Sequence, residues 1–428
     1  MQARKPVAKT KIMLSTTSNP YPAPAAQRKP RLLWANAYCL LDTSSGASMI
    51  VREMLRQLLA HGYDVEVVGA MVFDHQRGTV RLQPEWATIQ ASLGGVVTID
   101  DDSLKHRLVV TASTDRDQMT SREEGSWFGL YEKVLDAFKP DVVFFYGGQV
   151  LDRLIAAEAR ARGIATAAYI ANANYQGHSW QRHVDVLITT SQASADMYAR
   201  TQGYQAAAVG VFIDEATVLA PHKTRERVLF VNPSKQKGVG IVIQLALLLE
   251  VRRPDIVFEV IESRGSWPAM LKHFSQALGG ARDELSNVVV TPNRFDMRPV
   301  FGRARLLLAP SLWWETAGRV IGEAMLNGIP AIVTDRGGMP EMLQDGGIKL
   351  QLPPSCYEAP YDVLPTMALL EPVVATIIRL YDDQPFYDHY VARAYRVGKT
   401  SHGLGPDTRR LLQALAPLVA HQAGVSGS

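Results

Sequence analysis

Residues 310–341 read PSLWWETAGRVIGEAMLNGIPAIVTDRGGMPE. The apolar run at 306–308 predicts a strand that ends at Pro310, followed by a loop carrying Glu315. A helix is expected to start near Gly318, with Val320, Ile321, Ala324 and Met325 on its apolar side. Gly328 is placed to cap that helix and Pro330 to stop it. Ala331–Thr334 is the next strand, and Gly337-Gly338 opens the loop before another helix at Pro340-Glu341. Strand, glycine-bearing loop, helix and strand in that order is the repeating unit of a parallel sheet covered by helices.

Working outward, the same order recurs on both sides. Towards the N-terminus, apolar strands are predicted at 31–38, 64–70, 141–145, 165–170 and 184–189, with helices at 47–60 and 151–162. After a polar stretch near 215–226 the pattern restarts, with strands at 227–231, 256–261 and 288–290 and a helix at 240–251. At 428 residues the chain exceeds one ordinary core. The expected fold class is α/β, two doubly wound Rossmann-like domains facing a central cleft. The expected boundaries are a disordered basic tail at 1–30, a first domain at 31–214, a second at 227–386, and helices at 387–420 packing back on the first. Ligands in such folds sit at the carboxyl ends of the strands.

Charge is uneven along the chain. Residues 1–41 lack Asp and Glu and carry seven Lys and Arg, so that segment is +7 and the remainder −4 of the total +3. A slightly acidic body offers no footprint for nucleic acid. The tail is either a solvated leader or an arm that touches anionic lipid, which would make the protein peripheral at the inner membrane face. Its apolar run Ile12-Met13-Leu14 is too short for a signal-peptide core, and nothing later reaches the length of a membrane span. Cys39 and Cys356 have no metal or redox spacing, so a reduced, cytoplasmic setting is expected.

The chemistry concentrates in the opening stretch. Two predicted helix N-termini, near Gly318 and Pro340, face the cleft behind small residues, and free N–H groups there favour anions. Glu315 and Glu323 lie eight positions apart beside this anion site. Carboxylates in such a place make sense as acceptors for hydroxyls of sugar and ribose rings flanking a phosphate. Taken singly, each glutamate reads as a cap or as part of an amphipathic face.

Pro310, Ser311, Glu315, Glu323, Ala324, Gly328 and Pro330, with Gly337, Gly338 and Glu341 downstream, resemble the signature of family 4 glycosyltransferases. The resemblance implies the GT-B fold and a retaining, metal-independent hexosyl transfer, with no cofactor beyond a nucleotide-diphosphate sugar, UDP- or GDP-linked, as co-substrate. It implies that Glu315 holds hydroxyls of the donor sugar and that Glu323 binds the ribose. The backbone of Thr316, Ala317, Gly318 and Arg319 would meet the sugar and the distal phosphate. Residues 232–238, NPSKQKG, resemble the family's phosphate-binding segment, with Lys237 neutralising the departing diphosphate. Where many members have an arginine, this chain has Asn232, so Arg264 or Arg319 would supply the missing charge. Gly46 matches the glycine loop after the first strand, and Pro292 would lie against the base.

The first half departs from the family. Ala171 stands where many relatives have a histidine, and Asn172 or His178 would substitute for it. The acceptor hydroxyl, on a saccharide, a lipid-linked or a small molecule, is not specified. A second reading makes the chain a catalytically impaired partner of another transferase; Ala171 and Asn232 favour it, while Glu315, Glu323 and Lys237 favour activity. Asp100-Asp101-Asp102 and Asp115-Arg116-Asp117 imitate a metal-binding pair of carboxylates. Both fall in polar stretches away from the donor segment, and no metal is expected. Trp313-Trp314 serves either stacking on a ligand or core packing.

Overall fold

The computed structural model describes residues 28–425. Most of the basic tail, and with it the expected lipid contact, lies outside the described residues. The first domain contains β1 (Arg31–Ala35), α1 (Gly46–Ala60), β2 (Asp64–Ala70), α2 (Trp86–Gln90), β3 (Val96–Asp101), β4 (Leu104–Val109) and α3 (Ser121–Phe138). It continues with β5 (Val142–Tyr146), α4 (Val150–Ala161), β6 (Ala165–Tyr169), β7 (Val186–Thr189), α5 (Gln192–Gln202) and β8 (Ala206–Ala208). After the crossing come α6 (Glu215–Val218), β9 (Arg227–Val231), α7 (Val239–Arg252), β10 (Val257–Ile261), α8 (Trp267–Ala277), β11 (Val288–Thr291), α9 (Arg298–Arg303) and β12 (Ala304–Ala309). The rest is α10 (Arg319–Leu326), β13 (Ala331–Thr334), α11 (Met339–Leu343), β14 (Gly347–Leu350), α12 (Met367–Asp382), α13 (Gln384–Ser401) and α14 (Leu404–Val425).

Two sheets result. The first runs β3-β4-β2-β1-β5-β6-β7-β8 and the second β11-β10-β9-β12-β13-β14. The second is parallel throughout. In the first, β3 pairs antiparallel with β4, a departure from the all-parallel expectation. The reason is local: Asp102, at φ 54, and Ser103 turn the chain into a hairpin at the sheet edge. α3 was also not anticipated, although Thr120 and Glu123 form a capping box at its start, which is a readable signal. Central strands are apolar on both faces, as in β1, where Leu32, Leu33, Trp34 and Ala35 are fully buried. Trp34 meets Phe144 and Tyr146 edge-on at 5.1 and 4.9 Å.

The C-terminal helices divide their contacts. α13 packs on α10 in the second domain, with Gly398 tight against the Met325-Leu326 backbone. Only α14 returns to the first domain, where it meets α1 and the β6–β8 edge. The expectation that the whole 387–420 segment packs on the first domain is corrected to that extent. No described helix is long and apolar enough to cross a membrane.

Candidate active site

The carboxyl ends of the strands of both sheets open onto one cavity of about 1250 Å³. One wall comes from α1 and from residues that follow β1, β5 and β6, including Asn36, Gly147 and Ala171. The facing wall comes from residues that follow β9, β10 and β12 and from α10, including Asn232, Ser263, Ser311 and Glu323.

At its centre Lys237 Nζ donates to Glu315 Oε1 at 2.5 Å, and the Ser311 hydroxyl reaches the same oxygen at 2.8 Å. The two loops that carry them are fastened together, since the amides of Leu312 and Trp313 both donate to Gln236 O at 2.8 and 3.1 Å. The Glu315 side chain is 15% exposed. Burial pushes its carboxyl up, but Lys237, Ser311 and Arg264 together outweigh burial and hold it below the ordinary carboxylate range. The result is an ionised carboxylate at neutral pH beside a cation, in a half-dry cleft.

α10 begins directly after Glu315-Thr316-Ala317-Gly318. Gly318 takes φ +88, which turns the loop into the helix without a side chain over the cavity. Thr316 ties this loop to the first domain: its carbonyl accepts from the Ser191 and Ser194 hydroxyls, and its own hydroxyl donates to Ala171 O at 3.4 Å. Ala171 therefore stands against this loop. Glu323 lines the cavity, and its Oε1 accepts from Arg319 Nε at 2.7 Å. Arg319 is also committed to the carbonyls of Val211 and Phe212. Two of its three guanidinium nitrogens, Nε and Nη1, are thus engaged within the protein.

Gly337 and Gly338 do not open a second anion site. A Cβ on Gly337 would lie 2.9 Å from Glu315 N, and one on Gly338 would lie 2.7 Å from Ser191 Oγ, so both glycines let the chain lie under the Glu315-Thr316 loop. α11 is only five residues long, and Glu341 crosses to accept from the amides of Gln192 and Ala193 at 3.1 and 2.9 Å. It caps α5 of the first domain.

The departure at Asn232 also has a structural account. Asn232 adopts φ +67, which asparagine tolerates, and its Oδ1 accepts from the amides of Arg264 and Gly265 at 3.2 and 3.0 Å. The residue shapes the loop that brings Arg264 into the cavity, where its Nη1 is 3.8 Å from Asp74 across the cleft. Of the two cations considered for the missing charge, Arg264 is the less engaged, its side chain held among the described residues only by that long ion pair.

The other expected residues divide. Gly46 lines the cavity as the first residue of α1, with open space where a Cβ would point. Asn172 lines it too, its Oδ1 held by Asn174 N at 2.9 Å. His178 is excluded: it is exposed outside the cavity, paired with Gln181 and edge-on to Tyr204. Pro292 faces a separate hollow with Arg77 and Glu262, whereas Asn293 to Arg298 line the main cavity. Trp313 lines the cavity, while Trp314 lies outside it under Arg336, which sits 5.4 Å from its ring and 4.8 Å from that of Tyr357. Asp101 ends β3 and its side chain turns inward. It is fully buried and paired with Arg52, Arg56 and Arg81. Asp115 caps the turn at Asp117.

Among the cavity residues that the sequence reading does not anticipate is one buried carboxylate. Asp152 is buried in the first turn of α4, accepts from Asn36 Nδ2 at 2.9 Å and from Gln149 N at 3.0 Å, and burial pushes its carboxyl up to about 7. The strand, Gly147-Gly148 and helix order at 142–152 was the signal that could have pointed to it.

The sequence profile of the family described as Glycosyl transferases group 1 matches residues 225–364, which build most of the second wall. Spore coat protein SA of Bacillus subtilis (strain 168) is 28% identical over 123 residues, and the match covers 28% of this chain. The chain spans 33% of the length of that curated relative. Among solved structures, Anabaena HepE in complex with UDP-glucose superposes with a TM-score of 0.63 at 14% identity, covering 90% of this chain and 99% of that one. A glycosyltransferase from Rickettsia africae gives 0.62 at 11% identity, over 91% and 99%. WaaG, described as a glycosyltransferase involved in lipopolysaccharide biosynthesis, gives 0.60 at 15%, over 90% and 99%. The chain has the GT-B fold, and the likeness of its residues 225–364 is to the family of group 1 glycosyl transferases.

Proposed function

We propose that the protein transfers a sugar from a nucleotide-diphosphate sugar to an acceptor hydroxyl, with retention at the anomeric carbon and without a metal ion. The observation that carries this reading is the Lys237–Glu315 pair, set beside the α10 N-terminus in the interdomain cleft. Lys237, Arg264 and the first amides of α10 would face the diphosphate, and Glu315 would accept from hydroxyls of the donor sugar. In the step itself the acceptor oxygen bonds to the anomeric carbon while that carbon's bond to the distal phosphate oxygen breaks. The acceptor proton passes to the departing diphosphate oxygen, so no protein nucleophile is consumed. HepE was solved with UDP-glucose and pneumococcal GtfA with UDP and GlcNAc, which favours a UDP-sugar over a GDP-sugar here. The reading as an impaired partner loses one support, because Asn232 has a backbone task and Arg264 lies in the cleft.

Slow hydrolysis and thermal shifts with a panel of UDP- and GDP-sugars, with and without EDTA, test the proposal. Turnover of at least one donor that survives EDTA and is abolished by Glu315→Ala is expected. No turnover and no shift with any donor would overturn the reading. Turnover that vanishes with EDTA would overturn metal independence.

A further inference from the structure

Arg319 faces two ways from the first turn of α10. Its Nε donates to Glu323 Oε1 at 2.7 Å in the cleft wall, while its Nη1 donates to Val211 O at 3.0 Å and Phe212 O at 2.8 Å. Those carbonyls belong to the segment that leaves the first domain. The amides of the same two residues both donate to Asp407 Oδ2, at 3.0 and 2.9 Å, from α14. The Val211-Phe212 dipeptide is thus gripped on its carbonyl side by a helix of the second domain. On its N–H side it is gripped by the helix that packs on the first.

The backbone there is built for the grip. Gly210 takes φ +103, and a Cβ on it would fall on the Asp407 carboxylate. Phe212 takes φ +49, and Val211, Phe212 and Ile213 are buried. Gly322 of α10 lets Ile213 seat against the helix, since a Cβ there would lie 2.6 Å from Ile213 Cδ1. Arg319 and Glu323 side chains are 12% and 13% exposed, so water screens this chain of contacts poorly. A guanidinium is planar and rigid, so one edge cannot move without the other.

We infer that Arg319 is a positioning residue that sets Glu323 and couples nucleotide occupancy of the cleft to the crossing between the domains. The inference rests on the reading of Glu323 as the acceptor of nucleotide hydroxyls. Ligand hydroxyls that engage Glu323 fix the Nε edge of the guanidinium. The Nη1 edge then holds the Val211 and Phe212 carbonyls more firmly, and the amides of that dipeptide stay on Asp407.

Hydrogen exchange on the full chain, with UDP and GDP as separate probes at concentrations saturating by calorimetry, tests this. In the wild type, nucleotide slows exchange in a peptide covering 209–214 by about tenfold, the scale of one charge-assisted hydrogen bond. In Arg319→Met that response disappears although nucleotide still binds. Arg319→Lys, which keeps the charge and loses the fork, also loses it and serves if the methionine variant fails to fold. A purely structural role would raise exchange in both states and leave the response intact. Unchanged exchange in the wild type with nucleotide bound would overturn the inference, as would a full response in the folded variants. Failure of the wild type to bind either nucleotide overturns the donor-site reading itself, and this inference with it.

Discussion

Replacing Lys237 by methionine removes the cation and keeps most of the volume, leaving the Glu315 carboxylate in place with Ser311 and a more distant Arg264. Breaking a fully buried pair from one side costs about 3–5 kcal/mol. Here the lysine is 30% and the glutamate 15% exposed, so screening reduces that to about 1–2 kcal/mol at neutral pH. For a domain of this size the loss corresponds to a fall of roughly 2–8 °C in Tm. The pH dependence is the sharper test. In the wild type the folded carboxyl titrates below its unfolded value, so its stabilisation is present above the unfolded pKa and fades as pH falls through the folded one. In the variant the strongest lowering partner is gone while burial, Ser311 and Arg264 remain, so the carboxyl rises and that stabilisation shrinks. The Tm gap between wild type and Lys237→Met should therefore be widest near pH 7 and close towards about pH 4. Lys237→Met combined with Glu315→Gln should recover much of the lost Tm. Scanning fluorimetry across that range measures both. A gap that stays constant with pH, or a double variant no better than the single, would refute the account of an ion pair in a half-dry cleft.

Gly338→Ala should lower turnover severely and cost about 1–3 kcal/mol in urea unfolding, because its Cβ would displace the Thr316 carbonyl and Ser191; Gly46→Ala, with open space around it, should leave the unfolding midpoint of the free protein unchanged. Asn232→Ala strips the acceptor from the amides of Arg264 and Gly265 and puts alanine at a left-handed φ, and about 2 kcal/mol of lost stability should appear in the same unfolding curves. Asp101→Asn leaves three arginines without their shared carboxylate, and about 3–5 kcal/mol of destabilisation should be measurable by calorimetry. His178→Ala should leave turnover within about twofold of wild type, since the ring lies outside the cavity.

The parts legible in the sequence were those fixed by local pattern. Asp64–Ala70 reads as a buried strand from its valines alone, and 306–341 announces strand, loop, helix and strand through its apolar run, glycines and prolines. The edge hairpin of β3 and β4 was not legible as part of a parallel scheme, because a two-residue turn at Asp102 leaves no glycine marker. Among site residues, Glu315 and Lys237 come together because two adjacent strands, β9 and β12, end beside each other. Arg319 and Asn232 carry no such trace. Their partners lie on backbone atoms far along the chain or set by a left-handed φ, and neither property is visible in a residue type. His178 follows a loop whose direction depends on Tyr198 and Tyr204, so closeness in sequence to Ala171 did not mean closeness in space.

The crossing of Glu341 onto the start of α5, together with Ser191 and Ser194 on Thr316, bears on how such proteins can be recombined. A chimera that grafts residues 225–364 of a relative onto this N-terminal half brings a foreign loop to a seat shaped for this one. Matching the folds would not suffice. The graft has to carry a carboxylate at 341 and meet small hydroxyls at 191 and 194, or the transplanted loop will sit loose over an uncapped helix. The seating of the exchanged half in such hybrids is thus a property of the seam as much as of that half itself.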